Sequence, residues 1–118
     1  MNYAVLIYGD DTAWADLPDE EKAGLRAAEM PQWASLFEEV GKADPNVIGK
    51  ELDGRYTAKV VRVRDGERLV TDGPFAETKE ILGGVFLTDL PDLDEAIRLA
   101  ALIPSAKHGS VEIRPVLQ

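Results

Sequence analysis

Cysteine is absent from this 118-residue chain, and histidine occurs once, as His108. The first absence removes disulfides, thiolate nucleophiles and cysteine-ligated zinc or iron–sulfur centres. The second removes a multi-histidine metal centre within one protomer, so no metal is expected and nothing in the residues asks for a cofactor. Long apolar runs are missing too. Ala4 to Tyr8 and Ala100 to Ile103 are far too short to span a bilayer, and no membrane association is expected. The first residues carry no basic leader, and their apolar run stops at Gly9-Asp10-Asp11, so a secretory signal is not expected and a cytoplasmic location is. Positive charge is scarce: 13 Lys and Arg face 22 Asp and Glu, a formal net charge of −9. That balance disfavours nucleic acid, whose phosphates need a basic surface. It leaves room for a small molecule or a protein partner, and it also serves solubility.

A hydrophobic fraction of 45% is enough for a core, and the length suits one domain over residues 1–118. Tyr3 to Tyr8 reads as a first strand. Pro18, followed by Asp19, Glu20 and Glu21, marks a helix start, and helical character runs to about Gly41. Pro31 interrupts it and predicts a kink or two helices. Trp33, Leu36, Phe37 and Val40 repeat with the period of a core-facing helix stripe. Val47 to Leu52 reads as a strand. Ala58 to Arg64 and Arg68 to Thr71 read as a hairpin closed by Asp65-Gly66, and Ile81 to Leu87 as a long strand with two internal glycines. Asp92 caps a helix with Glu95 as its capping-box partner; Leu93, Ala96, Ile97 and Ala100 form its stripe, and Pro104 ends it. Ser110 to Val116 is the last strand. The order β-α-β-β-β-β-α-β is α+β and ferredoxin-like, with an added hairpin strand. The continuous apolar runs Ala4-Val5-Leu6-Ile7 and Val85-Phe86-Leu87 imply burial on both sides of the sheet. Helices cover one face, so a second copy of the same sheet is the economical cover for the other, and a homodimer is expected.

One segment carries more than secondary structure. Asp72-Gly73-Pro74-Phe75-Ala76-Glu77-Thr78-Lys79-Glu80, followed by Leu82-Gly83-Gly84, resembles the signature of the DGPF-motif (YCII-related) family. The resemblance extends to Leu6-Ile7-Tyr8-Gly9-Asp10, to Val63-Arg64-Asp65-Gly66, and to the stretch from Ile103 to Pro115, in order along nearly the whole chain. Pro31 is a departure, since an unbroken helix is the family's pattern there. The resemblance implies a ferredoxin-like protomer that pairs face to face into a dimeric α/β barrel, with a pocket lined by the sheets and the signature loop. It also implies genes that often lie beside those for alternative sigma factors. Related proteins are suspected of catalysis through a His/Asp pair, but the motif around that pair does not align here.

The candidate site follows. Asp72-Gly73-Pro74 makes a stiff corner. Either Phe75 walls a pocket with Asp72, Glu77 and Lys79 at its mouth, or Phe75 staples the loop to the core amid solvated charges; both make it a buried aromatic. His108, whose side chain ordinarily titrates near neutrality, could act as a general base beside Asp72 or Glu112, or stand exposed in its loop. Glu112 and Arg114 share one face of the last strand and would line a barrel, or lie in solvent on an edge. Arg62, Arg64, Arg55 and Arg68 form the one basic concentration. Two functions stay open: a metal-free acid–base enzyme acting on a small organic molecule, with His108 and Asp72 catalytic and Phe75, Glu77, Lys79, Glu112 and Arg114 holding the substrate; or a non-catalytic ligand- or protein-binding module with a regulatory role beside an alternative sigma factor.

Overall fold

Alternation decides the first strand. In β1 (Asn2–Gly9) Tyr3, Val5 and Ile7 are buried while Ala4, Leu6 and Tyr8 are only partly covered, the two-residue period of a pleated strand. The structure, a computed structural model, describes residues 1–12, 16–75 and 78–117. The helix α1 (Asp19–Ala43) opens after Pro18 with three acids in its first turn and carries Lys42 in its last, both favourable to the helix dipole. It runs through Pro31 as one helix, which corrects the two-helix expectation. Proline removes a single N–H there, and Leu36 and Val40, buried, with Trp33 packed on the same core, hold the helix to the sheet.

The strands β2 (Ile48–Glu51), β3 (Lys59–Arg64), β4 (Glu67–Asp72), β5 (Ile81–Asp89) and β6 (Ser110–Pro115), with the helix α2 (Leu93–Ala100), complete the element order expected from the sequence. An antiparallel sheet takes the order β2-β5-β1-β6. With both helices contributing to one core, this α+β arrangement is compatible with a ferredoxin-like fold. The hairpin is the exception. β3 and β4 form a two-stranded sheet of their own and add no strand to the main one. Their turn is as the sequence predicts: Asp65 and Gly66 sit at φ 51° and 78°, the left-handed pair that a two-residue hairpin requires.

The N-terminus of α2 is capped by Asp92, whose Oδ1 accepts the Glu95 N–H at 2.9 Å. The Glu95 carboxylate takes the Arg98 guanidinium in a forked pair at 2.6 and 2.9 Å instead of closing the capping box. The buried stripe is Ala96, Leu99 and Ala100, while Leu93 and Ile97 stand half-exposed. This corrects the expected phase: a two-turn helix carries too few apolar positions to define its rotation, and packing onto Leu90 and Ile103 decides it.

Among the described residues, Tyr3, Leu36 and Ile103 are the largest fully buried side chains. Asp44 ties α1 to β5. Its carboxylate accepts the Asp89 N–H at 2.9 Å, the Asn46 N–H at 3.0 Å and the Thr88 hydroxyl at 3.1 Å. The register puts Ala4, Leu6, Val85, Leu87 and Ile48 on the sheet's opposite face, where Leu87 and Ile48 are about half-exposed. Gly83 is an extra residue between Ile7↔Gly84 and Tyr8↔Leu82, a β-bulge in β5. Among the described residues no helix is long and apolar enough to cross a membrane.

Candidate functional site

The chemistry gathers where β1 and β2 end and β5 and β6 begin. After β1 the chain reaches Asp10 and Asp11; after β2 a short turn of 3₁₀ helix presents Arg55. Asp11 accepts the Arg55 Nε–H at 2.5 Å and the Arg55 backbone N–H at 2.7 Å. The other end of the guanidinium reaches the loop before β5: Nη1 donates to the Thr78 carbonyl at 2.6 Å and Nη2 to the Lys79 carbonyl at 3.2 Å. The Arg55 side chain is 17% exposed. One planar cation thus fastens the signature loop to the end of β1, with three bonds in three directions. Asp10, whose carboxylate accepts both the hydroxyl and the N–H of Thr12, is held below its usual range by those bonds, with Arg55 and Lys79 adding to the effect.

Beside this clamp lies an open cleft of about 480 Å³, lined by Thr12, Arg55, Gly73, Pro74, Thr78 and Lys79. Gly73, joined to Pro74 by a cis peptide, forms its wall where two backbones meet: its N–H donates to the Ala58 carbonyl at 2.8 Å, and a Cβ at Gly73 would sit 2.8 Å from the Ala58 Cβ. Neither group can swing away. Gly73→Ala is therefore expected to cost about 1–3 kcal/mol in urea unfolding, the usual penalty of overpacking; an unchanged midpoint would show that the corner can open.

A second cluster sits on the face away from the helices. The Tyr8 hydroxyl donates to Glu112 Oε1 at 3.2 Å, and Arg114 Nη2 donates to Glu112 Oε2 at 2.6 Å. The Arg114 bond, then the Tyr8 bond, holds Glu112 below the usual carboxylate range. Burial, then the Glu112 hydrogen bond and charge, push the Tyr8 phenol up. The trio is an ionised carboxylate flanked by a cation and a phenol that keeps its proton.

The residues expected in one pocket are thus spread over several environments. Lys79 lines the cleft. Glu77 lies outside the described residues. Asp72 pairs with Lys59 across the foot of the hairpin, which lowers its pKa. Phe75 is not a buried aromatic: it is 79% exposed, with the Arg62 guanidinium 5.6 Å above its ring. The reason is local, since the loop is fastened by Arg55 and not by the phenyl group. His108 faces Glu29 of α1, Nε2 to Oε1 3.7 Å, and not Asp72 or Glu112. Glu112 and Arg114 are together as expected. Two participants were missed. The sequence offers Arg55 only as part of a basic concentration, although Asp10-Asp11 after an apolar strand is a signal for a cation partner. Tyr8 stands in the sequence as a strand residue within a segment of the family resemblance, with no site role.

Strand order and helices gathered on one sheet face define the class, an α+β protein compatible with a ferredoxin-like fold. Over residues 1–118 the chain matches the YCII-related domain, and it belongs to that family. It is 38% identical to an uncharacterized protein of Rhizobium meliloti strain 1021, over 98% of this chain and 92% of that protein.

Proposed function

We propose that residues 1–118 form one domain that assembles as a homodimeric α/β barrel and binds a small organic molecule in the cleft beside the 72–80 loop. The cleft carries this reading. Its volume of about 480 Å³ lies in the range of small-molecule sites, which combine apolar walls with a few placed polar groups. Here Pro74 and Gly73 supply the wall, Thr12 and Thr78 the hydroxyls, and Lys79 and Arg55 the cationic groups. The half-exposed Ile48 and Leu87 on the helix-free sheet face support the dimer.

Acid–base chemistry without a metal is the second reading; the Tyr8–Glu112–Arg114 trio supports it by placing a carboxylate, a phenol and a cation in hydrogen-bond contact on one sheet face, although Glu112 is shifted down and Tyr8 up, away from neutrality. His108 Nε2 stands 3.7 Å from Glu29 Oε1, at the surface. A thermal-shift screen against a metabolite library tests both. Compounds that bind the native state raise its melting temperature, and Lys79→Ala should weaken the same compounds at least about tenfold, roughly 1.4 kcal/mol. Turnover of a hit that disappears in Glu112→Gln or His108→Ala would assign catalysis. A library without hits, or hits indifferent to Lys79, would overturn the cleft as the site.

A further inference from the structure

We infer that the cleft beside the 72–80 loop takes a small organic monoanion, a carboxylate whose head rests on the Lys79 ammonium and the outer edge of the Arg55 guanidinium. This rests on the cleft proposed above as the binding site and adds the class of its occupant.

The hydrogen-bonding groups of the cleft wall point to that class. The Thr12 hydroxyl donates to Asp10 Oδ1 and the Thr78 hydroxyl to the Glu80 carbonyl, so both protons are committed. The Gly73 N–H is committed to the Ala58 carbonyl, and Pro74 has none. Among the described lining residues, the side-chain donors left to an occupant are therefore those of the two cations. Arg55 places Nε–H on Asp11, one Nη1–H on the Thr78 carbonyl and one Nη2–H on the Lys79 carbonyl, which leaves a second N–H on each terminal nitrogen. The Asp10 carboxylate lies 3.7 Å from Nη2, beyond hydrogen-bond reach. The Lys79 side chain is exposed, and its ammonium makes no hydrogen bond or ion pair with the described residues.

Charge sets how much the head carries. Asp10 and Asp11 balance Arg55, yet neither lines the cleft, and no carboxylate among the described residues does. Lys79 acts on Asp10 only from a distance, helping to hold it ionised, and is the cation left over for an occupant. One negative charge matches it. A dianion would be opposed by the two nearby aspartates and by a chain of net −9. Pro74 and the pinned Gly73 backbone then meet the body of the acid, and about 480 Å³ suits a molecule of metabolite size.

The test follows the backbone amide resonances of the full chain by NMR during titration with matched acids and amides. The pairs are benzoate and benzamide, hexanoate and hexanamide, lactate and lactamide, with phenyl phosphate as the dianion. At least one acid is expected to shift the Gly73, Thr78 and Lys79 amides and to bind about tenfold or more tighter than its amide, with the advantage shrinking as salt is raised. Lys79→Gln, at an exposed position, should remove most of that advantage, and Lys79→Arg should keep it. Amides that bind at these resonances as tightly as their acids would overturn the anion and keep the cleft. So would an acid preference that Lys79→Gln leaves intact overturn the assigned head-group contact, and phenyl phosphate binding tighter than benzoate would overturn the single charge. Shifts confined to other residues, or none from any probe at millimolar concentration, would overturn the cleft together with its occupant.

Discussion

Asp44→Ala is expected to lower the unfolding free energy by about 3 kcal/mol, measured by urea denaturation at neutral pH. The carboxylate is buried and takes three hydrogen bonds, from two backbone amides and the buried Thr88 hydroxyl. Alanine would leave the buried Thr88 hydroxyl and two partly buried amides without this acceptor, and bonds to a charged group are worth about 1.5–3 kcal/mol each before relaxation. The same contacts set a pH dependence. The Asp89 N–H bond, with those of Asn46 and Thr88, lowers the Asp44 pKa against the opposing effect of burial. Its folded pKa lies below the unfolded one, so its contribution is full above the ordinary carboxylate value, about 4, and is lost as pH falls through the folded pKa. Asp44→Asn should therefore flatten the acid limb of the stability curve; a limb as steep as wild type would place the titration in other carboxylates.

Arg55→Ala is the second large effect. It should cost about 2–3 kcal/mol and abolish binding of whatever compounds the native protein takes up. Removing the guanidinium frees the Thr78 and Lys79 carbonyls and leaves Asp11 without its cation. Lysine cannot substitute, since one ammonium cannot span a carboxylate and two carbonyls lying in three directions. Arg55→Lys should thus behave nearly like Arg55→Ala in melting temperature and in ligand binding, while Arg68→Ala, on the β3–β4 hairpin outside the cleft lining, should change neither. Full retention of binding in Arg55→Lys would reduce the clamp to simple charge.

Features written in a few consecutive residues are legible in the sequence. The alternating β1, the acidic start of α1, the Asp65-Gly66 turn and the Asp92 cap each depend on local backbone preference. Partners remote in sequence were not. Asp11 meets Arg55 across 44 positions and Tyr8 meets Glu112 across 104, and no local pattern joins them. The phase of α2 was misread because Leu93 and Ile97 look as apolar as Leu99, and only the neighbouring surface chooses between them. Phe75 was misread for a related reason: a large aromatic in a rigid loop suggests a staple, but Arg55 already does that work. The separateness of β3–β4 was hidden because a hairpin reads the same whether or not a sheet adopts it.

The central place of β1 has a consequence for the nascent chain. β1 pairs with β5 on one side and β6 on the other, so Asn2 meets Asp89 and Tyr3 meets Pro115. At about 5–20 residues per second of synthesis, β1 waits roughly 4–16 seconds for its first partner strand and longer for its second. The β3–β4 hairpin, once emerged, needs only about 1–10 microseconds to close. During translation β1 is therefore made well before both of its partner strands, and the ribosome-bound chain offers chaperones an uncovered apolar strand throughout that interval.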